Sequence, residues 1–288
     1  MTIIKIKAGL GNQMFQYAFG RALSLKRKEL LFLDTFYYKN QPERDAKREL
    51  ILDKFNIEAS FSSEEIYKKY NSKFKVFLKK LYRRIKKIDE YTYYPSFMNS
   101  KLSYFEGYWA NQKYFLKYED IIRKDLSLKN PYCDSSKKIV AQMSDCLLKG
   151  EIPVSLHIRR GDFVSNPHSA AYNGLLGIPY YEKAVSLLMS KYLPKIAVFV
   201  FSDDIVWAKE NLRLTCPIYF VSNPNIPDYE EIILMSKCSH HILANSTFSW
   251  WGAWLNPNHD KIVIVPRQWI ANKTVDQIDL IPKEWIQI

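Results

Sequence analysis

Isoleucine alternates with polar residues from Thr2 to Lys7, and after Ala8-Gly9-Leu10-Gly11-Asn12-Gln13 the apolar positions from Met14 to Leu25 recur at helical spacing. That order predicts a strand, a glycine turn and a helix. Leu30 to Leu33 reads as a second strand, Tyr104 to Trp109 as a short strand, and Gln112 to Leu126 as a helix. From Glu151 the rhythm changes. Short β-branched or apolar runs at Ile152 to Ile158, Ala197 to Phe201, Ile218 to Val221, His241 to Leu243 and Ile262 to Val265 alternate with helical patterns. Those patterns span Tyr180 to Tyr192, Ile205 to Asn211, Tyr229 to Ser236 and Phe248 to Leu255. Strands alternating with helices predict βαβ units and parallel sheets covered on both faces.

The polar segment from Asn130 to Glu151 places a boundary between an N-terminal α/β domain, 1–145, and a C-terminal one, 146–288. The first carries a basic helical insertion over about 64–93, followed within it by the aromatic run from Tyr91. With 288 residues, 47% of them hydrophobic, and only 9 Gly and 13 Pro, the chain is globular rather than disordered or collagen-like. Lys and Arg exceed Asp and Glu by 42 − 30 = 12, which favours an anionic partner: nucleic acid, a phosphorylated small molecule or anionic lipid. Cys133, Cys146, Cys216 and Cys238 form no CxxC pair and lie at no metal-ligand spacing from a histidine, so neither a disulfide framework nor a zinc site is expected. The start MTIIKIKAGL has no long apolar core, and no apolar run reaches the roughly 18 residues of a bilayer span. These features predict a cytoplasmic protein with reduced thiols.

Ligands of open α/β sheets bind beyond the carboxyl ends of strands, so four strand ends are the candidates for chemistry. Gly9-Leu10-Gly11-Asn12-Gln13 can bring backbone N–H groups to an anion at a helix start, or make a tight turn and nothing more. It lacks the third glycine of a dinucleotide fingerprint and the lysine of a P-loop. His157-Ile158-Arg159-Arg160-Gly161-Asp162 offers guanidinium forks suited to phosphate, with an Arg–Asp ion pair that ties down a loop as the structural alternative. Phe201-Ser202-Asp203-Asp204 provides carboxylates that can accept the paired N–H groups of guanine or cap the helix that follows. Asn245-Ser246-Thr247-Phe248 precedes a Trp250-Trp251-Trp254 cluster whose spacing favours core packing, and its hydroxyls and free N–H groups make a second anion cradle.

Together these segments resemble the α-1,2-fucosyltransferases of glycosyltransferase family 11. The resemblance rests on Gly9 to Tyr17, Glu106-Gly107-Tyr108-Trp109, His157 to Asp162, Phe201 to Asp204 and Asn245 to Trp251, in the family's order. It runs from Ala8 to about Arg267 and leaves out mainly the basic segment Glu64 to Tyr93. It implies a GT-B type α/β fold of two facing Rossmann-like domains, the first on the acceptor side and the second binding GDP-fucose. The implied reaction is inverting, metal-independent transfer of L-fucose to the 2-hydroxyl of a galactose-terminated glycan, in bacterial surface polysaccharide synthesis. GDP-fucose is then the donor substrate, and no cofactor is expected.

By motif match, His157 and Arg159 hold the diphosphate, and Asp204 or Asp203 holds guanine. Asn245, Ser246, Thr247 and Phe248 line the nucleotide pocket, while Gly11, Asn12 and Gln13 contribute from the first domain, Asn12 by reaching across. Arg159 is the leaving-group residue. For the general base, Asp162 is the first candidate, His168 the second, and late proton loss to phosphate or water the third.

Other readings are another GDP-sugar or linkage, a catalytically dead glycan-binding protein, and a nucleic-acid-binding module. The last finds no known motif, and the basic residues are concentrated in one stretch. Within that stretch, Lys68 to Ile88, Phe74, Phe77, Leu78, Leu81, Ile85 and Ile88 recur at helical spacing among lysines and arginines. The pattern fits a helix lying on an anionic membrane near a lipid-linked acceptor, or equally a helix packed on the domain core.

Overall fold

The computed structural model describes residues 1–43, 46–71, 89, 91–166, 170–171, 174–191, 195–271, 273–274 and 278–288. The chain forms two compact units, one of 1–127 with 278–281 and the other of 128–277 with 282–288. Most of the basic stretch singled out above, 72–88, lies outside the described residues, as does His168.

In the first unit, β1 (Thr2–Lys5), β2 (Leu31–Asp34), β3 (Ser60–Phe61) and β4 (Tyr104–Phe105) form a parallel sheet in the order β3-β2-β1-β4. Ile3 and Ile4 are both fully buried, so β1 is covered on both faces, as a central parallel strand must be. Helix α1 (Leu10–Arg27) starts earlier than the apolar pattern suggests. Gly9 is its N-cap residue, and the left-handed turn before it is made by Ala8 (φ 66°) rather than by a glycine. The helices α2 (Glu64–Tyr70), α3 (Pro95–Met98) and α4 (Glu119–Asp125) complete the described elements, with 3-10 turns between them.

Two expectations are corrected in this unit. The strand read from Tyr104 to Trp109 stops at Phe105, where its ladder with β1 ends, and Trp109 further on takes a left-handed conformation (φ 54°). The helix read from Gln112 to Leu126 is two 3-10 turns followed by α4, interrupted where Phe115 leaves the helical region (φ −131°) to bury its ring.

The second unit holds α5 (Asp134–Leu148), β5 (Ile152–Ile158), α6 (Gly161–Ser165), α7 (Ile178–Lys191), β6 (Ile196–Ser202), α8 (Ile205–Asn211) and β7 (Ile218–Phe220). After these come α9 (Asp228–Lys237), β8 (His240–Ile242), α10 (Thr247–Leu255), β9 (Val263–Val265), the antiparallel pair β10 (Gln268–Ile270) and β11 (Lys273–Thr274), and β12 (Ile286–Gln287). Six of these strands form one parallel sheet, β12-β9-β8-β5-β6-β7. Renumbered within the unit that order is 3-2-1-4-5-6 read from β7, the strand order of dinucleotide-binding Rossmann folds. Along β6 the side chains divide by period 2. Val198 and Val200 pack with Leu188 and Ile242, while Ala197, Phe199 and Phe201 pack with Met143, Leu234 and Met235.

The division between units falls at Ser127–Leu128, ahead of the 145/146 boundary read from the sequence. The polar segment from Asn130 is largely helix α5, whose Met143 and Cys146 pack under β6 and whose preceding residue Cys133 donates its N–H to Glu230. Ile139, Val140, Met143 and Cys146 form the side of the helix that belongs to the core, and its remaining positions are mostly polar. Among the described residues, no helix is long and apolar enough to cross a membrane.

Candidate active site

In the second sheet the chain moves outward from β5 in one direction through β6 and β7, and in the other through β8 and β9. The loops after β5 and β8 therefore separate at the carboxyl edge and open a crevice there. His157 comes from the end of β5 and Arg159 from the loop after it, while Asn245 and Ser246 come from the loop after β8 and Thr247 and Phe248 from the first turn of α10. Their meeting is direct: the His157 and Phe248 rings lie 5.6 Å apart between centroids.

The β5–β6 register, which pairs Ile158 with Ser202, sets each arginine against an aspartate. Arg159 Nη1 lies 2.9 Å from Asp203 Oδ2, and Arg160 Nε donates to Asp204 Oδ2 at 3.2 Å. Asp203 Oδ1 also accepts the Arg160 backbone N–H at 2.8 Å. A Cβ on Gly161 would overlap the Asp203 carboxylate, so the residue after the arginines must be glycine for this docking. Asp204 caps α8 by accepting the Trp207 N–H at 3.2 Å, and the Arg160 guanidinium stacks 3.8 Å from the Trp207 ring centroid. The Arg–Asp pairing and the helix cap foreseen as structural alternatives are thus both present. The carboxylates keep further lone pairs, and Asp204 is the more exposed, at 37% of its side chain against 25% for Asp203.

His157 is buried, its Nδ1 has no hydrogen-bond partner, and burial followed by the Arg159 charge depresses its pKa to about 3. It is a neutral imidazole near pH 7, able to offer one N–H to a ligand but no charge. Beneath it, β5 and β8 are tied together by His241. Asn256 Nδ2 donates to His241 Nε2 at 2.9 Å, which leaves the proton on Nδ1 to be donated to Ser155 Oγ at 2.8 Å. Across the crevice Ser246 Oγ accepts the Phe248 N–H at the start of α10, and Thr247 opens that helix. Asn245 is turned inward, its Nδ2 donating to the Gly174 and Trp269 carbonyls. Trp250, Trp251 and Trp254 are buried and pack against one another, as core residues.

One polar chain escapes the sequence reading. Ser222 Oγ accepts the Ser202 N–H and donates to Glu231 Oε2, both at 2.9 Å, while Ser202 Oγ accepts the Asp204 N–H at 3.0 Å. It holds the turn that carries both aspartates. Burial, reinforced by the charges of Asp228 and Asp203, pushes the Glu231 carboxyl up to about 8. The available signal was Ser222 at the end of a strand, which alone names no partner.

The remaining candidates are placed as follows. Gly11 is buried in the first turn of α1, and Asn12 beside it is half-buried. Gln13, expected to touch substrate, has its amide committed to backbone: Nε2 donates to the Ala8 and Glu49 carbonyls at 3.0 and 2.7 Å, and Oε1 accepts the Ile51 N–H. It staples its own loop instead. The backbone of Asp162 lies in α6, and its side chain is outside the described atoms. Among the described residues no group of His, Cys, Asp and Glu is arranged to hold a metal ion.

The family model "Glycosyl transferase family 11" matches residues 1–288. The chain belongs to glycosyl transferase family 11. It is 36% identical to the O-antigen biosynthesis glycosyltransferase WbnK of Escherichia coli, over 95% of this chain and 96% of that protein. It is 33% identical to an alpha-1,2-colitosyltransferase of Escherichia coli, over 100% and 99%. Among solved structures it is similar to the fucosyltransferase NodZ from Bradyrhizobium, with 13% identity, a TM-score of 0.49, and coverage of 89% of this chain and 92% of that one. This family 11 chain is a glycosyltransferase.

Proposed function

We propose that the protein transfers L-fucose from GDP-fucose to the 2-hydroxyl of a galactose-terminated glycan, with inversion and without a metal ion. The observation that carries this reading is the meeting of His157, Arg159 and the α10 start at one sheet crevice in a family 11 glycosyltransferase. The Arg159 fork receives the diphosphate, with the unpartnered N–H capacity of His157 and the N-terminal amides of α10 completing an anion cradle. As the bond from the anomeric carbon to the diphosphate oxygen breaks, its electron pair leaves with GDP. The fixed guanidinium then meets the charge that builds there. Asp203 holds Arg159 in that position, and Asp204 accepts guanine N–H groups through its remaining lone pairs. The acceptor hydroxyl loses its proton to Asp162, with His168 as the alternative base.

The similarity to an alpha-1,2-colitosyltransferase along the whole chain favours a second donor reading, colitose, which lacks a hydroxyl that fucose carries. Incubating the protein with GDP-fucose, GDP-colitose and UDP-galactose, with lactose and other galactose-terminated acceptors, with and without EDTA, separates these outcomes. A fucosylated product formed equally with EDTA is expected. Product from GDP-colitose alone installs the second reading, and product only with added divalent cation removes metal independence.

The sequence-similar WbnK is named for O-antigen biosynthesis, which supports a surface-polysaccharide acceptor on a lipid carrier at the cytoplasmic membrane face. The basic amphipathic pattern from Lys68 to Ile88 supplies the membrane contact in this proposal. Co-sedimentation with anionic but not neutral vesicles, weakened by salt and by converting Lys79, Lys80, Arg83 and Arg84 to Gln, is the expected result. No binding at low salt leaves the segment as a packing helix.

A further inference from the structure

Where β6 and β7 end, the ladder between them passes from backbone to side chain. Val221 still donates its N–H to the Val200 carbonyl at 2.9 Å, one step beyond β7. At the next step the acceptor of the Ser202 N–H is the Ser222 hydroxyl. A hydroxyl has one hydrogen to give, and Ser222 gives it to Glu231 Oε2 in the first turn of α9. Its lone pairs are thereby turned toward Ser202, and the buried main-chain donor there is satisfied. The series continues through Ser202 Oγ, which accepts the Asp204 N–H, to Asp204 Oδ2, which accepts from Arg160 Nε. Glu231 thus stands at the root of a continuous run of hydrogen bonds that ends on a guanidinium of the candidate active site.

The adjacent glutamate serves another purpose. Glu230 is buried and accepts the Cys133 N–H ahead of α5, so it is spent on joining α9 to α5. Glu231 is half-buried and directed to the turn after β6. The charged groups facing it are Asp228, on its own helix, and Asp203, on that turn; Ser222, after β7, is its neutral partner. Asp203 is also the carboxylate that pairs with Arg159. Burial and these like charges lift the Glu231 carboxyl to about 8, so near pH 7 it carries a proton and adds no charge. Once ionised, it places a further negative charge beside the counter-ion of Arg159, where it opposes a bound diphosphate.

We infer that Glu231 is a positioning residue for nucleotide binding: acting through Ser222 and Ser202, it sets the turn that carries Asp203 and Asp204, and with it the placement of Arg159. This rests on the reading of the crevice as a GDP-sugar site, and GDP is the probe. Linkage gives the sign of the pH dependence. Ionised Glu231 disfavours the diphosphate, so GDP affinity falls as pH rises through about 8. Calorimetry with GDP from pH 7 to pH 9 is run on wild type, Glu231→Gln and Ser222→Ala, with the unfolding midpoint of each sample. Gln keeps an acceptor for the Ser222 hydroxyl and cannot ionise, whereas Ala at 222 removes the relay itself. GDP titrates identically in all three, so differences between the profiles belong to the protein.

Over that range the wild-type Kd is expected to rise about five- to tenfold more than that of Glu231→Gln, which stays within about threefold of wild type at pH 7. Ser222→Ala is expected to bind GDP about tenfold more weakly than wild type at pH 7. Parallel profiles for wild type and Glu231→Gln overturn the inference, as does a wild-type affinity that rises with pH relative to the variant. A Ser222→Ala protein with a lowered midpoint and wild-type GDP affinity shows a role in folding alone and overturns it too. If Ser222→Ala does not fold, the Glu231→Gln profile decides by itself. A wild-type protein that binds no GDP across this range overturns the GDP reading together with the inference, whereas the other outcomes leave that reading standing.

Discussion

Replacing Arg159 by Lys keeps a cation beside Asp203 and removes the fork, which isolates what the guanidinium contributes. A lysine is a point charge that cannot span two diphosphate oxygens while remaining paired with Asp203. One charge-assisted hydrogen bond lost only as the bond breaks corresponds to about 1.5–3 kcal/mol, so kcat should fall about 10- to 100-fold. Steady-state kinetics with the active donor checks this, and an unchanged kcat removes Arg159 from the leaving-group role.

Glu231 makes a different, pH-dependent prediction. Its pKa is about 8 in the folded chain against an ordinary value of 4.5, so between those values the folded state binds more protons than the unfolded one. Its contribution to stability is therefore intact below about 4.5 and lost as pH rises through 8. Between pH 6 and pH 9 the wild-type unfolding midpoint should drop further than that of Glu231→Gln, which cannot ionise. Equal drops would show that another group governs the slope. Neither the Arg159–Asp203 pair nor the Glu231 chain was legible in the sequence as a specific contact. The residues stand 44 and more positions apart or lie on different elements, and only the β5–β6 register brings the first two together.

At the scale of elements, legibility followed burial. The strands β6 and β9 were readable because they are buried on both faces and so appear as apolar runs. The helix α5 was not, although Ile139, Val140, Met143 and Cys146 recur at helical spacing and pack on one core cluster, because the Asp, Ser and Lys residues among them read as a polar boundary. Strand β4 is shorter than read because its ladder with β1 ends at Phe105, which side-chain patterning along one strand does not encode. Helix pairing adds a further test. A Cβ at Gly252 in α10 would lie 2.7 Å from Met235 Cβ in α9, a backbone-near contact that cannot swing away. Gly252→Val should therefore cost about 1–3 kcal/mol by overpacking and lower the thermal midpoint. A midpoint equal to wild type would mean that α9 and α10 separate without penalty.

At the scale of the whole molecule, two compact units each end their parallel sheet in a crevice where strand order reverses. The family places a glycosyltransferase on this frame, and the resemblance read from the sequence puts the acceptor on the first unit and the donor on the second. Hydrogen exchange on the intact chain tests that division, because a ligand slows exchange most at the backbone amides it touches or orders. GDP at about 100 times its Kd stabilises the bound form by about 2.7 kcal/mol and should protect Arg159 to Phe163 and Ser246 to Ser249. Lactose should protect Lys7 to Gly9 and Gly107 to Ala110 and leave the GDP set unchanged. Protection by GDP concentrated at the β1 and β4 loops, with none after β5 and β8, would reverse the assignment of the units. Mass action explains why the experiment needs both ligands at matched saturation: unequal occupancy alone would mimic a difference between sites.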